Sequence, residues 1–454
     1  MQKTTQNTYN PRSPQNPRYP KHPRYPYKNK KSSKFHTKIF DFIYYVSLLI
    51  GKTIFHHNNH HLHEVQTMYK IGQEEIDAVA EVIRTGKLFR YGIGNACETF
   101  EKRYAEYLGV KHVMLNTSGT VSLHAALAGL KIGPGDEVLV PACTYIATAI
   151  AVLAVGAIPV VVDIDDSLTL DPQAVEAAIG PHTKAIIPVH MWGLVCDMDA
   201  LMAVAKKHNL LVIEDACQCV GGAYKGRMCG SIGDVGAFSF NYYKNMSAGE
   251  GGATVTNNDD AAMRIGCMID CCQFYWAGRE KSIPLFTSAG SRASEIEGAI
   301  LNVQLDRLPG MIKAMRAQKK RILNAMADIK EFKPLKYNSL DWECGAYAGF
   351  LLPDADTANR FQAAFPCMIA GKTGRHVYTE WDPIIEKQGA PNPVLNPYNL
   401  KENKDCRMDL KRDQCLKSLE ILNRAVMIAT HPSRSDADTD AVIEKVRAAA
   451  KQIL

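Results

Sequence analysis

The sequence lacks the pairing expected of disulfide-bonded proteins, since its thirteen cysteines are odd in number and include no Cys-x-x-Cys pair. Long secreted proteins that depend on disulfides do not show this pattern, and free thiols persist in a reducing compartment. We therefore expect a cytoplasmic protein. Cys267, Cys271 and Cys272 cluster at helical spacing, and we interpret them as small packing residues rather than as a metal or redox site.

A membrane-spanning run is also missing from the N-terminal part of the chain. The apolar run at residues 42–50 has nine residues, whereas a helix that crosses a bilayer needs about twenty. This run could form the core of a signal peptide, but no small-residue cleavage site follows it. We expect no stable insertion into a membrane.

Acidic residues are absent from residues 1–38, which contain ten lysines and arginines. Prolines recur at every third position from Pro11 to Pro26, which is the period of a polyproline II helix. We predict that residues 1–67 form a disordered extension, and that the histidines at residues 56–63 belong to an unstructured polar tract rather than to a metal site. Globular patterning begins at Met68, which is a candidate natural start of the protein.

The net charge of +6 comes from this extension. Without residues 1–67, 42 basic and 45 acidic residues remain, so the rest of the chain is close to −3. A slightly acidic body gives no electrostatic reason to expect nucleic acid as a partner. The apolar content of 46% and the charged content of 22% are ordinary for a globular enzyme.

Apolar β-type runs alternate with helical patterns between residues 110 and 260. The runs occupy residues 112–116, 137–141, 158–164, 185–190, 210–215, 235–240 and 253–256. Strands separated by amphipathic helices predict βαβ units and therefore an α/β fold, with a mostly parallel sheet of about seven strands flanked by helices. We assign residues 68–300 to this large domain and residues 301–454 to a smaller C-terminal α+β domain.

Polar residues and glycines follow these runs at the carboxyl ends of the predicted strands, where ligands bind in α/β sheets. Gly119 and Thr120 open a helix after the first run, and the free amides at the start of a helix bind phosphate. Tyr145 follows the second run and offers a ring for stacking, and Asp215 ends the fifth run. Each signal alone also fits a turn, a core aromatic or a helix cap, so the predicted site depends on their convergence. The Gly-x-Gly turn at residues 92–94 lacks a third glycine, and we do not interpret it as a dinucleotide site.

Lys244 lies between the sixth run and a glycine-rich turn at residues 249–252, where an amine can meet a ligand and then be covered. A lysine that forms a Schiff base and an aspartate that pairs with a pyridinium nitrogen are the protein groups that pyridoxal phosphate (PLP) chemistry requires. Lys244 and Asp215 therefore predict a PLP enzyme. The amine must be neutral to attack a carbonyl, so we expect burial to lower the pKa of Lys244.

Seven longer motifs extend this pattern. They are Asn-Thr-Ser-Gly-Thr (116–120), Gly-Asp-Glu-Val-Leu-Val-Pro (135–141), Pro-Val-His-Met-Trp-Gly (188–193), Val-Ile-Glu-Asp-Ala-Cys-Gln (212–218), Gly-Asp-Val-Gly-Ala-Phe-Ser-Phe (233–240), Gly-Glu-Gly-Gly (249–252) and Arg-Ala-Ser-Glu-Ile-Glu-Gly-Ala (292–299). With these motifs in this order, the chain from Met68 onward resembles the DegT/StrS-type PLP-dependent sugar aminotransferases. That family is a branch of the fold-type I aminotransferases, so the resemblance implies that fold.

The resemblance implies a role for each residue around the cofactor ring. Lys244 would carry the cofactor and move the proton. Asp215 would bind the pyridinium nitrogen, and Gln218 would contact the ring hydroxyl. Tyr145 would stack on the ring. Some family members have histidine in place of this lysine and act as sugar dehydratases, so Lys244 argues against that branch.

The resemblance also implies a phosphate site shared between two subunits. Gly119, Thr120 and Ser239 would hold the phosphate within one subunit. Family members send a loop into the neighbouring subunit's site, and residues 285–292 occupy that place in this sequence. Position 290 is glycine where many members have asparagine, so Arg292 is the candidate for the contact with the partner's phosphate. We therefore expect a homodimer.

The expected reaction is the transfer of an amino group from glutamate or glutamine to a keto sugar, in cell-surface polysaccharide or amino-sugar biosynthesis. The candidate acceptors are an 8-oxo-3-deoxy-octulosonate and a nucleotide-linked 4-keto-6-deoxyhexose, with a keto-inositol (scyllo-inosose) as the alternative. Residues 375–381 are rich in polar and aromatic side chains that could face a sugar, although ordinary packing explains them equally well. A non-catalytic regulator on the same fold is a further alternative, but it would normally have lost Lys244 or Asp215.

Overall fold

The structure is a computed structural model that describes residues 70–91, 94–271, 286 and 288–454. The predictions made for the N-terminal extension, for its proline and histidine tracts and for Cys272 lie outside these residues. Among the helices of the described residues, none combines the length and the apolar character needed to cross a membrane.

The regular elements are numbered in chain order. The α-helices are α1 Gln73–Thr85, α2 Ala96–Leu108, α3 Gly119–Gly129, α4 Ala147–Ala154, α5 Pro172–Ala177, α6 Met198–His208, α7 Asp259–Ile269, α8 Glu295–Ala325, α9 Ala355–Ala364, α10 Asp382–Ile385, α11 Leu416–Arg424 and α12 Asp436–Ile453. The strands are β1 His112–Asn116, β2 Glu137–Pro141, β3 Ile158–Val162, β4 Thr183–Ile186, β5 Leu211–Asp215, β6 Ala223–Tyr224, β7 Arg227–Met228, β8 Val235–Ser239, β9 Gly252–Thr256, β10 Lys333–Pro334, β11 Tyr347–Leu351, β12 Met368–Ile369 and β13 Ala425–Ala429.

The large sheet has seven strands in the order β1-β9-β8-β5-β4-β2-β3. Strand β9 runs antiparallel to both of its neighbours, and the pairs β2–β3, β2–β4, β4–β5 and β5–β8 are parallel. The predicted mostly parallel sheet of seven strands is therefore confirmed. Strand β4 ends at Ile186, four residues before the predicted end. Beyond it, Pro188 has no amide hydrogen to donate. Its carbonyl accepts from the Asp215 amide at 2.8 Å, and the His190 amide donates to the Asp215 carbonyl at 3.0 Å.

Helices cover both faces of this sheet, which explains the continuous apolar runs. Every position of β2, β3, β8 and β9 is buried, as expected for strands that have no solvent-facing side. Leu123 and Ile265 belong to the core on one face. Phe100, Tyr104 and Leu305 belong to the core on the other face. The edge of the sheet at the strands' carboxyl ends is therefore the part left open to a ligand.

A second sheet is formed by the C-terminal region, in the order β10-β11-β13-β12 and antiparallel throughout. Its core includes Phe332, Phe350 and Phe361. Helix α8 runs without a break through residue 300 and contributes to the cores of both sheets. The division into domains at residue 300 stays a prediction, and this helix is the rigid connection across it.

Candidate active site

The predicted site residues gather around one cavity of about 880 Å³ at the carboxyl ends of β1, β2, β5 and β8. Seven of them line it: Gly119, Thr120, Tyr145, Asp215, Gln218, Ser239 and Lys244. The eighth, Arg292, does not belong to the lining. Side chains that are far apart in the sequence therefore meet here, as expected when parallel strands end at the same edge.

The loop that carries Lys244 joins β8 to β9 and is held by its own backbone. Phe240 N donates to the Gly251 carbonyl at 2.8 Å, which keeps the two arms of the loop together. The Asn245 side chain donates to the Val220 carbonyl at 2.9 Å and ties the loop to the segment after β5. This anchoring holds Lys244 at the cavity rather than in solvent.

The glycines of this loop allow a close approach between two backbones. Gly251 has φ of 145°, which side-chain-bearing residues rarely adopt. A Cβ on Gly252 would lie 2.5 Å from the backbone carbonyl carbon of Ser118, which is too close for any other residue. Strand β9 therefore lies directly against the turn that opens α3. The Gly-Glu-Gly-Gly motif thus brings the lysine loop and the helix start together.

The environment of Lys244 favours the neutral amine. Burial in the cavity wall lowers the pKa of Lys244, and the positive charge of Arg375 lowers it further. The Asp215 carboxylate acts in the opposite direction but does not outweigh the burial. This direction agrees with the one expected from the sequence.

The carboxylate of Asp215 is held in one orientation by two hydrogen bonds. Asp215 is 4% exposed. Thr148 Oγ1 donates to Oδ2 at 2.8 Å, and the Cys217 amide donates to Oδ1 at 3.1 Å. The hydroxyls of Thr148 and Thr144 lie 2.7 Å apart, which extends the hydrogen-bond network from α4 to the turn before it. A carboxylate with these donors stays in one orientation.

Thr148 was not among the residues expected from the sequence. The sequence contains only a weak signal for this residue: it lies one helical turn after Tyr145, which places its side chain at the same edge of the sheet.

Replacing Thr148 with valine keeps the shape of the side chain and removes the donor to Asp215. A hydrogen bond to a charged group contributes about 1.5–3 kcal/mol, so we expect a loss in kcat of roughly tenfold or more. Steady-state kinetics test this, and Thr148→Ser should restore most of the rate; equal losses in both variants would contradict the role of the hydroxyl.

The start of α3 forms an anion-binding end of the cavity. The Ser118 hydroxyl caps the helix by accepting from the Val121 amide at 3.2 Å. The helix amides that precede Val121 have no carbonyl partner within the helix. A Cβ on Gly119 would lie 2.7 Å from Ser239 Cβ and 2.9 Å from Cys217 Sγ. The absence of a side chain at Gly119 therefore lets the start of α3 pack directly against Ser239, which brings the helix amides and the Ser239 hydroxyl to the same end of the cavity. A phosphate fits such a place.

Aromatic and basic side chains line the opposite wall. The Arg375 guanidinium carbon lies 5.1 Å from the Tyr145 ring centroid, and the His376 ring lies 5.8 Å from it. Burial lowers the pKa of His376 to about 4, so this ring is neutral at pH 7. Tyr378 and Trp381 are buried in the core instead. Within residues 375–381, the side chains of Arg375 and His376 therefore face the cavity, whereas those of Tyr378 and Trp381 have an ordinary packing role.

Arg292 is paired within its own chain. Its Nη1 donates to Asp270 Oδ1 at 2.9 Å, and its guanidinium carbon lies 5.9 Å from the Phe89 ring centroid. Asp270 is fully buried at its side chain, whereas Arg292 keeps 34% of its side chain exposed. The predicted contact with a partner's phosphate involves a second subunit and stays a prediction.

Glu297 is an unusual carboxyl group behind the lysine loop. A Cβ on Gly251 would lie 2.5 Å from Glu297 Oε1, and this oxygen has no hydrogen-bond partner among the described residues. Burial raises the pKa of Glu297 from 4.5 to about 8; Arg90 opposes the rise and Glu250 adds to it. The folded-state pKa is therefore above the unfolded one. The contribution of Glu297 to the free energy of unfolding is fully present below pH 4.5 and is lost as the pH rises to about 8.

Glu297→Gln should accordingly stabilise the protein at alkaline pH. A shift of this size predicts a gain on the order of 5 kcal/mol at pH 9 and little change at pH 4.5. Denaturant unfolding of the variant and the wild type between these pH values tests the prediction. Glu98→Gln, at an exposed glutamate of α2, is the control and should show no such trend. A stability difference that does not grow with pH would contradict the buried carboxyl.

The cavity provides the groups that PLP requires. A buried amine is present at Lys244, and an oriented carboxylate for the ring nitrogen is present at Asp215. For the phosphate, the start of α3 at Gly119 and the Ser239 hydroxyl line the same cavity. Tyr145 borders the space between them. The residues of this chain therefore fit the cofactor, on the chemistry of the amine, the carboxylate and the helix start that face the cavity.

Two known proteins are similar in sequence to about half of this chain. The GDP-perosamine synthase of Caulobacter vibrioides is 45% identical over 221 residues, which are 48% of this chain and 58% of that protein. The L-glutamine:2-deoxy-scyllo-inosose aminotransferase of Streptoalloteichus tenebrarius is 39% identical over 273 residues, 57% of this chain and 64% of that protein. The chain thus matches less than two thirds of the length of either relative.

The fold and the family are shown by broader matches. The crystal structure of an aminotransferase from Psychrobacter cryohalolentis has a TM-score of 0.71 and 26% identity, and the match covers 85% of this chain and 98% of that one. The model of the DegT/DnrJ/EryC1/StrS aminotransferase family matches residues 69–447. The chain therefore belongs to the DegT/DnrJ/EryC1/StrS aminotransferase family and has the fold-type I architecture of PLP-dependent aminotransferases.

Proposed function

We propose that this protein is a PLP-dependent aminotransferase that moves an amino group from glutamate or glutamine to a keto sugar. The observation that carries the proposal is the buried amine of Lys244 in the same cavity as the oriented carboxylate of Asp215. The relatives support it, because one of them is an L-glutamine:2-deoxy-scyllo-inosose aminotransferase.

When bound, PLP supplies an electron sink that allows a proton to leave the carbon beside the transferred amine. Lys244 Nζ, whose pKa is lowered by burial, would take up that proton and return it. Asp215, oriented by Thr148, would hold the ring nitrogen in its protonated form. Gln218 would contact the ring hydroxyl. Tyr145 would cover one face of the ring and exclude water from it.

The phosphate would be held at the start of α3. Gly119 and Thr120 would provide backbone amides, and Ser239 would provide a hydroxyl group from the adjoining strand. These groups would fix the phosphate end of the cofactor and so position its ring relative to Lys244, as proton transfer requires.

The acceptor is proposed to be a nucleotide-linked 4-keto-6-deoxyhexose or an 8-oxo-3-deoxy-octulosonate. The 45% identity to a GDP-perosamine synthase supports a nucleotide-linked sugar. A keto-inositol is the second candidate, supported by the 39% identity to a scyllo-inosose aminotransferase. These substrates fit a cytoplasmic enzyme that makes amino sugars for surface polysaccharide.

The decisive experiment is an activity panel. Purified protein should be incubated with PLP, with glutamate or glutamine, and with each of these keto sugars or the keto-inositol. Mass spectrometry should find one aminated product, and its formation should require the donor. A protein that holds PLP but aminates none of the acceptors with either donor would contradict the proposal and favour a regulator on this fold.

We further propose a homodimer in which Arg292 acts on the phosphate in the neighbouring subunit. Its side chain is partly exposed and lies outside its own chain's cavity, which leaves it available to a second copy. Closed two-fold dimers are the commonest assemblies of this kind. Sedimentation at assay concentration should show a dimer.

Complementation tests the shared site. Lys244→Ala and Arg292→Gln subunits are each expected to be inactive alone. In a mixed dimer one of the two sites has both wild-type residues, so mixing should restore part of the activity. Gln is chosen because a new carboxylate would face Asp270. No recovery after demonstrated subunit exchange would contradict the arrangement.

A further inference from the structure

A short segment of the C-terminal region pairs with the chain just beyond strand β2. Residues 376–378, which we call the strap, run antiparallel to residues 142–144. Thr144 N donates to the His376 carbonyl at 3.0 Å, and the amide at the other end of the strap donates to the Ala142 carbonyl, also at 3.0 Å. The strap therefore joins two parts of the chain that are far apart in the sequence.

The strap also connects side chains on two parts of the cavity wall. Tyr145 directly follows the paired residues, and Arg375 directly precedes the strap, whose first residue is His376. All three side chains line the cavity. The ring centroids of His376 and Tyr145 are 5.8 Å apart. The backbone pairing therefore sets the position of Tyr145, the ring proposed to cover the cofactor, relative to this wall.

A series of hydrogen bonds continues from the strap to Asp215. The Thr144 backbone is held by the strap, and its hydroxyl lies 2.7 Å from the Thr148 hydroxyl. Thr148 donates in turn to Asp215 Oδ2 at 2.8 Å. All three residues are buried, with Asp215 the most exposed at 4%. A fully bonded buried network fixes the geometry of its members, so the strap contributes to the orientation of the carboxylate.

Two aromatic side chains hold the strap from the core. Tyr378 Oη donates to the Arg412 carbonyl at 2.7 Å and accepts from the Cys415 amide at 3.0 Å. Trp381 Nε1 donates to the Arg375 carbonyl at 3.1 Å. Both aromatic residues are fully buried and lie outside the cavity lining. Packing alone requires no polar atom, whereas the polar atoms of both side chains tie the strap and the residue before it to the surrounding structure.

We propose that Tyr378 and Trp381 are positioning residues, which hold the strap so that Tyr145 and Asp215 keep the arrangement that the reaction requires. This inference rests on the proposed PLP-dependent function and adds two residues that touch neither cofactor nor substrate. Misplacing a group at an active site by about 1 Å can lower the rate by about 10²-fold. Loss of one neutral hydrogen bond behind the wall is a smaller disturbance, so we expect an effect of about tenfold.

Tyr378→Phe and Trp381→Phe, each in the full-length PLP-loaded protein, test the proposal. Hydrogen exchange followed by mass spectrometry should be faster in peptides that contain Thr144, because the pairing with the strap is weakened. The visible circular dichroism of bound PLP should change, because it reports the orientation of the ring. The kcat should fall by about tenfold, while KM for the amino donor changes little, since the contacts of the donor remain.

Tyr337→Phe is the matched control. The Tyr337 hydroxyl also bonds to the backbone twice, donating to the Gly349 carbonyl and accepting from the Gly349 amide, each at 2.9 Å. These bonds lie within the C-terminal region, and Tyr337 is outside the cavity lining. The control should lose as much melting temperature as Tyr378→Phe, but it should keep the wild-type exchange at Thr144, the dichroism and kcat.

A second pair of variants tests the route from the strap to Asp215. Thr144→Val removes the hydroxyl that contacts Thr148 and leaves the backbone pairing with the strap. It should lower kcat without faster exchange of the strap, and Thr144→Ser should restore most of the rate. Equal losses in both variants would contradict a route through this hydroxyl and with it the effect of the strap on Asp215.

Two results would overturn the positioning role. The first is wild-type dichroism and kcat in Tyr378→Phe and Trp381→Phe, whether or not exchange is faster. The second is an equal loss of kcat in Tyr337→Phe, which would assign the effect to general destabilisation. Melting curves show which variants fold. The two strap variants remove different bonds, so either one that folds decides the question.

Failure of this inference differs from failure of the proposed function. A wild type that binds PLP but transfers no amine would refute the proposed function, while exchange and dichroism would still report whether the strap positions the bound ring. An active wild type whose strap variants behave normally would refute the positioning role and keep the proposed function.

Discussion

Lys244→Ala is expected to abolish covalent attachment of PLP and to lower turnover by at least about 10²-fold, the lower end of what a positioned general acid–base group contributes. The reason is that no other amine is expected to replace Nζ at this position. Removing the side chain leaves the loop intact, since its hydrogen bonds are made by the backbone and by Asn245. The variant should therefore fold and still bind PLP non-covalently at the phosphate end.

The measurement combines borohydride reduction with peptide mapping. In the wild type, reduction should bleach the visible band and leave the pyridoxyl group on Lys244. In Lys244→Ala it should leave no labelled peptide. Lys207→Ala, at an exposed lysine of α6 paired with Glu176, is the matched control and should behave as the wild type. A label on another lysine in the wild type would show that the site has been assigned to the wrong residue.

Asp215→Asn is expected to lower kcat by about 10²–10³-fold, the usual cost of removing one oriented group that stabilises charge in an active site. Asparagine has the same shape but is neutral, so it cannot hold the ring nitrogen in its protonated form. The amide oxygen of asparagine can still accept from the Cys217 amide, and its NH2 group can donate to the Thr148 hydroxyl, so the structure around position 215 should persist. Cofactor binding should weaken less than turnover.

Asp215→Asn should also change the pKa of Lys244. The Asp215 carboxylate raises the pKa of Lys244 against the larger effect of burial. Its removal should therefore lower that pKa further, and Lys244 in the apoprotein should react with amine reagents at lower pH than in the wild type. Asp199→Asn, at a surface carboxylate paired with Lys225, serves as the control. Near-normal turnover in Asp215→Asn would remove Asp215 from the proposed role.

The strands and the edge of the site were predictable because both depend on local patterns. Buried parallel strands require continuous apolar runs, and these runs mark β2 and β5 closely. Ligands of such sheets lie beyond the carboxyl ends of the strands, so residues that follow the runs, such as Tyr145, Asp215 and Lys244, could be placed at one edge before any contact was known. The family motifs then supplied the expected roles.

The structure decided which side chains from distant parts of the chain meet. Thr148 donates to Asp215 across 67 positions of sequence, and no local pattern reports that pair. Arg292 pairs with Asp270 rather than lining its own cavity. Arg375 is far from Tyr145 in the sequence, yet its guanidinium carbon lies 5.1 Å from the Tyr145 ring centroid. Sequence periodicity thus determined the elements and the edge on which chemistry occurs, whereas hydrogen-bond partners and unpaired charges depend on how those elements pack in three dimensions.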